Sequence, residues 1–262
     1  MILGIDFGSS TTDFVLMRDK KLIKSCSFMS DKLDVNKVLE KFPLNEIELI
    51  AATGCGARKL KTKLKGIPVK KVDEIQAIGL GGKFVSKKDR ALVVSLGSGT
   101  CMVAVDKDIK HIGGTAVGGK TLIGLSKLLL DTDDFNEIQE LAEKGDLSKV
   151  DLTLKEIYPD GIGQLESRCT AAHFGHLKNP EKSDIALALF NLIAQSIGAT
   201  VGFAAKAEKY KDVVFTGKLI NLELIQKIIK LRMGFIGEFN LIIPENPEIA
   251  TAIGAVAKFI QL

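Results

Sequence analysis

MILGIDFGSSTTDFVL, Met1 to Leu16, decides the reading of this chain, because ALVVSLGSGTCMVAV, Ala91 to Val105, repeats its plan. Each stretch has an apolar, strand-like run, a tight turn of Gly, Ser and Thr, and a second strand-like run. Glycine lets backbone N–H groups approach a ligand closely, and a cluster of such groups makes an anion site. Ser and Thr hydroxyls add donors. A single turn of this kind also suits any β-hairpin. Two of them, on two copies of one motif, read as a clamp for a polyphosphate with one turn on each side. In Walker and Rossmann motifs a helix follows the glycine loop. Here β-like residues follow both turns, so the expected donors are hairpin amides. The candidates are Gly8, Ser9, Ser10 and Thr11 in the first turn and Gly97, Ser98, Gly99 and Thr100 in the second.

A competing motif lies further along. Gly114 to Thr121, GTAVGGKT, satisfies the Walker A pattern. A P-loop needs a buried strand just before it, and Ile109–Ile112, interrupted by Lys110 and His111, is a poor one. No hydrophobic strand ending in a Walker B aspartate follows. The expected reading is a glycine-lined floor leading into a helix. Gly118 and Gly119 would allow close ligand approach, and Lys120 would meet a phosphate.

Composition bounds the rest. The chain has 262 residues, 46% hydrophobic and 26% charged, an ordinary soluble balance with room for one large domain or two small ones. A net charge of +4 makes no case for a nucleic-acid partner, which needs a concentrated basic face. The densest basic run, Arg58 to Lys71, reads as a solvated loop or helix face. Cys26, Cys55, Cys101 and Cys169 form no CxxC pair, so no zinc finger or redox motif is visible. Met1 leads straight into a strand, no secretory leader is expected, and no apolar run of ~18 residues suggests a membrane span. The expected location is a reducing cytoplasm.

The pattern predicts strands over Ile2–Asp6, Thr12–Met17 and Lys21–Ser27, a helix over Val35–Lys41, a strand over Glu48–Thr53 and a helix over Val72–Val85. The theme restarts with strands over Ala91–Leu96, Thr100–Asp106 and Lys110–Ile112. Helices are predicted over Thr121–Leu130, Phe135–Lys144, Asp151–Tyr158 and Ser183–Tyr210. A strand over Val213–Thr216, a helix over Asn221–Leu231, a strand over Asn240–Ile243 and a helix over Glu248–Ile260 complete the chain. Two packed lobes, with helices outside mixed sheets, fit this order. Asp131, Asp133 and Asp134 are read as acids serving a helix N-terminus. His173 and His176 are read as packing or capping residues.

Asp6-x-Gly8-Ser9-Ser10-Thr11 after one strand, and Leu96-Gly97-Ser98-Gly99-Thr100 after another, resemble the acetate/sugar kinase, actin and chaperone ATPase superfamily. The resemblance sharpens to the type II pantothenate kinases. It is carried in order by Asp6–Thr11, Ala52–Ala57 (ATGCGA), Val72–Ile75 (VDEI), Leu96–Thr100, Gly114–Gly119 (GTAVGG), Phe135–Lys149 (FNEIQELAEKGDLSK), Ala171–His176 (AAHFGH) and Ile253–Val256 (IGAV). It implies an α/β fold of two ribonuclease-H-like, actin-like ATPase lobes with nucleotide in the cleft between them. Residues 1–90 would form one lobe, with the final helix 248–262 packing back on it, and 91–247 the other.

The family implies roles. Glu74 matches its catalytic carboxylate, a general base for a substrate hydroxyl. Asp6 matches the residue that helps hold Mg²⁺, through water. The two turns match its ATP-phosphate loops, Thr216-Gly217 a loop near the adenosine, and His111 and Thr115 the substrate side. The implied reaction is ATP-dependent phosphorylation of pantothenate, the first step of coenzyme A biosynthesis, by a homodimer.

Three positions depart from the family pattern. Asp13 stands where the family carries a lysine. His111 stands where an arginine grips the substrate, and lacks that two-pronged donor. Lys120 replaces a third glycine. Either Lys120 supplies a cation from a new direction or the substrate differs. Thr53-Gly54-Cys55-Gly56 and GIDFGSSTT also resemble activator ATPases of 2-hydroxyacyl-CoA dehydratases, but Cys101 and Cys169 are not placed for their paired-cysteine iron–sulfur site. An actin-like ATPase acting on a protein, and a homologue that binds nucleotide or coenzyme A without turnover, remain the alternatives.

Overall fold

The computed structural model describes residues 1–161, 163, 166, 167 and 169–260, apart from the side chain of residue 32. The first sheet contains β1 (Ile2–Phe7), β2 (Thr11–Arg18) and β3 (Lys21–Met29); after α1 (Val35–Leu39) come β4 (Leu49–Thr53), β5 (Lys63–Leu64) and β6 (Ile67–Lys71). Their order is β3-β2-β1-β4-β6-β5, with β1, β2 and β3 antiparallel and β4 parallel to β1. Next is α2 (Glu74–Ser86). The second sheet starts with β7 (Ala91–Leu96), β8 (Thr100–Val105) and β9 (Ile109–Thr115). Then come α3 (Gly119–Leu130), α4 (Phe135–Ala142), the small pair β10 (Leu152–Thr153) and β11 (Thr170–Ala172), α5 (Lys182–Ala207), β12 (Asp212–Thr216), α6 (Glu223–Gly234), β13 (Asn240–Ile242) and α7 (Ala250–Ala257). The second sheet runs β13-β12-β7-β8-β9. Strand for strand, β1, β2, β3, β4 and β6 match β7, β8, β9, β12 and β13. The repeated sequence motif is the visible part of a repeated sheet.

Each sheet buries its outer face separately. Leu3, Ile5, Phe14, Leu16 and Ile50 pack with Leu39 and Phe42 behind the first sheet. Leu92, Val94 and Phe215 pack with Leu122, Phe190, Ile193 and Ile229 behind the second. The inner faces are covered by α2 and α7. Val15 and Met17 meet Ile253 and Val256 of α7, while Val93, Val103 and Val105 meet Ile78 of α2. The two helices lie backbone to backbone. A Cβ on Gly81 would fall 2.0 Å from the Ala250 carbonyl oxygen, and one on Gly254 would fall 1.8 Å from that of Ala77. The α2 glycines, poor helix formers in isolation, are there because the helix is pressed against α7 and the second sheet.

Four sequence expectations need correcting. The basic Arg58–Lys71 run holds the β5–β6 hairpin, turning at Lys65 and Gly66, both at positive φ. Ile67 and Val69 are the buried alternate residues, masked in sequence by lysines. Asp151 does not begin a helix over Asp151–Tyr158. That stretch gives β10 and a 3-10 turn over Leu154–Glu156, because the buried Asp151 carboxylate is taken by Thr170, His173, Asn191 and the Phe174 amide. A membrane-length apolar helix does exist. α5 is long and apolar enough to cross a membrane by length and composition, but most of its apolar window is buried, and its Phe190, Ile193 and Ile197 fill the core behind the second sheet. The final helix is shorter than expected, Ala250–Ala257, and residues 261 and 262 lie outside the described ones.

Candidate active site

The two turns meet. The Ser9 hydroxyl lies 2.6 Å from that of Ser98, and the Ser10 hydroxyl 3.2 Å from the same atom. Each turn closes an antiparallel hairpin at equivalent ends of the two matching sheets, so its tip points into the space between them.

The turns are braced differently. In the first, Ser30 donates its hydroxyl to the Gly8 carbonyl at 2.8 Å and its N–H to the Ser10 carbonyl at 2.9 Å. In the second, Gly119 N–H donates to the Gly97 carbonyl at 2.9 Å and Lys120 N–H to the Ser98 carbonyl at 3.1 Å, while the Thr100 hydroxyl donates to the Val117 carbonyl at 2.9 Å. β9 runs Ile109–Thr115 into the loop before α3, but as an edge strand with no fully buried residue, not the buried strand that a P-loop follows. The amides of Gly118, Gly119 and Lys120 are bonded to Thr121 Oγ1, Gly97 and Ser98. A P-loop needs such amides free to cradle phosphate. Gly118 is small because the second turn lies on it: a Cβ there would sit 2.6 Å from Gly99 Cα. The exposed Lys120 ammonium donates to the Ser9 carbonyl at 3.4 Å, joining the two turns.

Acids gather at the root of the first turn. Asp6 in β1 faces Asp13 in β2 and flanks Thr53 in β4. The Asp6 carboxyl is pushed up to about 7, by burial first and then by the Asp13 and Glu74 charges, with Lys218 pulling it down. Asp13 accepts hydrogen bonds from Ser27 Oγ and from Lys218 Nζ, the latter at 2.8 Å. Glu74 is the exposed first residue of α2, whose N-cap is Asp73. It also acts on Cys101: burial first and then the Glu74 charge push that thiol up to about 11, leaving it an inert neighbour.

Thr216 is buried beside Ser95, and Gly217, at φ +92°, turns the chain against β7, where a Cβ would lie 2.4 Å from the Leu96 carbonyl oxygen. The next residue is Lys218, which sequence reasoning missed. Its signal was its place directly after the predicted Thr216-Gly217 loop. Ser30 was missed too, and nothing in the local sequence marks it.

On the substrate side the picture is sparser. His111 is exposed on the edge strand β9, paired with Val103 on the face that α2 covers, and no hydrogen bond holds it among the described residues. Thr115 pairs with Thr100, and its hydroxyl accepts from Val117 N–H at 3.2 Å. His173 and His176 do not converge on one ligand: the first bonds Asp151 and the second Glu156. Asp134 caps α4, and Asp133 pairs with Lys127.

Among the described residues no group of three or more His, Cys, Asp or Glu is arranged to hold an ion alone. Magnesium at a phosphate site is instead held by one or two carboxylates with phosphate oxygens and water. Asp6, a crowded carboxylate with no hydrogen-bond donor spent on it among the described residues, fits that donor set.

Comparison with known proteins adds the family. The Fumble family profile matches residues 90–238. The chain belongs to the Fumble family, that of the type II pantothenate kinases. The type II pantothenate kinase of Oceanobacillus iheyensis is 30% identical over 183 residues, covering 66% of this chain and 69% of the relative. That of Bacillus cereus is 28% identical over 240 residues, 87% of each chain. Among solved structures, the activator of the 2-hydroxyisocaproyl-CoA dehydratase from Clostridium difficile, with bound ADPNP, matches with a TM-score of 0.70. It covers 98% of this chain and 93% of that one at 16% identity, which establishes the shared actin-like fold. The family profile begins at residue 90, after α2, so β1–β6 and α2, with Asp6, Asp13 and Glu74, lie outside the match.

Proposed function

We propose that this protein is an ATP- and Mg²⁺-dependent small-molecule kinase that phosphorylates the primary hydroxyl of pantothenate, acting as a homodimer. The observation that carries the reading is the pair of serine-bearing turns held face to face over Asp6, with Glu74 on the same acid cluster. Phosphoryl transfer asks mainly for positioning and charge stabilisation, with one proton to remove. The turns supply hydroxyls and amides for the nucleotide phosphates. Glu74 takes the proton from the substrate hydroxyl as its oxygen bonds the γ-phosphorus and the bond to the leaving ADP oxygen breaks. Asp6 would hold magnesium through water, and that ion would offset charge on the transferring group.

A coupled assay of ADP release, run with and without pantothenate, tests this. Release that depends on pantothenate supports the reading. Release that ignores every small alcohol makes the protein an ATPase acting on a protein partner, and binding without release makes it a nucleotide-holding homologue. If Glu74 is the base, Glu74→Gln lowers kcat by roughly 10²–10⁴ while ATP affinity stays near that of the wild type. A near-normal kcat removes Glu74 from the mechanism.

A further inference from the structure

Lys218 and Asp13 sit 205 positions apart and join the two sheets with a 2.8 Å ion pair at the root of the cleft. The Asp13 side chain is only 7% exposed, while that of Lys218 is 38% exposed. Directly opposite residues of an antiparallel pair project from the same face, so Asp6 and Asp13 crowd two acids together there. The Lys218 charge pulls the Asp6 carboxyl down, against its burial and the neighbouring acids. Its backbone leaves β12 beside Leu96, at the root of the second turn, while its head reaches β2, at the root of the first. An ammonium has three N–H donors. Asp13 takes one, and no other acceptor is bonded to Lys218 among the described residues. Position 13 is also where the resemblance expects a lysine. In this chain the acid is at 13 and a lysine reaches it from the opposite sheet.

We propose that Lys218 is the phosphate-binding cation of the cleft, delivered from the second sheet and aimed by Asp13. This rests on the nucleotide reading above. Asp13 and Ser27 fix the ammonium beside the serine turns, and its remaining N–H groups meet the polyphosphate that those turns hold. The rival account is a tie that only fastens the two sheets together.

Calorimetric titration with ATP and with adenosine separates the two. Lys218→Met weakens ATP by roughly 10- to 100-fold, the range for one hydrogen bond to a charged group, and leaves adenosine unchanged. Lys218→Arg retains most of the ATP affinity. The exchange Asp13→Lys with Lys218→Asp restores what either single change loses. If Lys218→Met fails to fold, Asp13→Asn with Lys218→Met removes both partners of the pair together, and the same comparison is made on that protein. ATP affinity within about twofold of wild type in either variant, with only the unfolding temperature lowered, overturns the proposal in favour of the tie. A wild-type protein that binds no ATP strikes the kinase reading itself, and this proposal with it.

Discussion

The two turns share a sequence plan and a sheet topology, and they differ in what holds them and what surrounds them. Gly8-Ser9-Ser10-Thr11 is braced by one side chain and one amide of Ser30, which lies just after β3. Gly97-Ser98-Gly99-Thr100 is braced by the backbone that enters α3, pressed so close that Gly118 has no room for a Cβ. The position matching Asp6 in the second sheet is Ser95, which carries no charge. The first sheet therefore brings the acids and the second brings the cation Lys218. A duplicated hairpin is a local solution that was reused, while its bracing and charge were settled separately on each side.

The largest effect expected from breaking this comparison is at the second turn's floor. Gly118→Ala would push a Cβ against Gly99 and the Ser98 carbonyl, neither of which can yield without moving the turn. It should cost about 1–3 kcal/mol of stability and weaken ATP. Gly97 has nothing within 4 Å of its Cβ position, so Gly97→Ala should keep its stability within about 0.5 kcal/mol and lose only ATP affinity, through crowding of the ligand. Urea unfolding with ATP titration measures both. Equal destabilisation by the two changes would mean that the floor does not support the turn.

The charge asymmetry gives a pH test. The Asp6 carboxyl lies near 7 in the folded protein and near 3.8 unfolded, so its ionisation opposes folding. Below the unfolded value both states hold the proton and nothing is gained. As pH rises toward 7 the penalty grows, and above 7 it is constant. Asp6→Asn should therefore match wild type near pH 4 and be more stable above pH 7, by about 1–2 kcal/mol after discounting for partial exposure. Ser95→Ala, at the matching place, should show no such pH dependence. A flat difference between Asp6→Asn and wild type across that range would show that the acids are not crowded.

The smallest effects concern single braces. Ser30→Ala removes a hydrogen bond from the first turn and Thr100→Val one from the second, and each should cost about 1 kcal/mol. For a chain of this size that is a fall of roughly 2–4 °C in Tm. If Ser30→Ala costs nothing, the first turn stands without its brace and the contrast between the turns narrows.

The chain order of apolar runs and Gly/Ser/Thr turns determined the two matching hairpins, because a period-2 pattern and a tight turn are local properties. The two turns were legible as a pair from their residues alone, whereas the roles of Asp6 and Glu74 came only from the family resemblance. The sequence could not show that GTAVGGKT spends its amides on the neighbouring turn, since the same eight residues serve a phosphate or a carbonyl and only the contact decides. It hid the β5–β6 hairpin, because the exposed alternate positions are lysines that dominate the composition. It hid the partner of Asp13 as well. An ion pair across 205 positions leaves no periodicity to read, and only the folding of one sheet against the other, with α2 and α7 between them, carries Lys218 to the acids of the first.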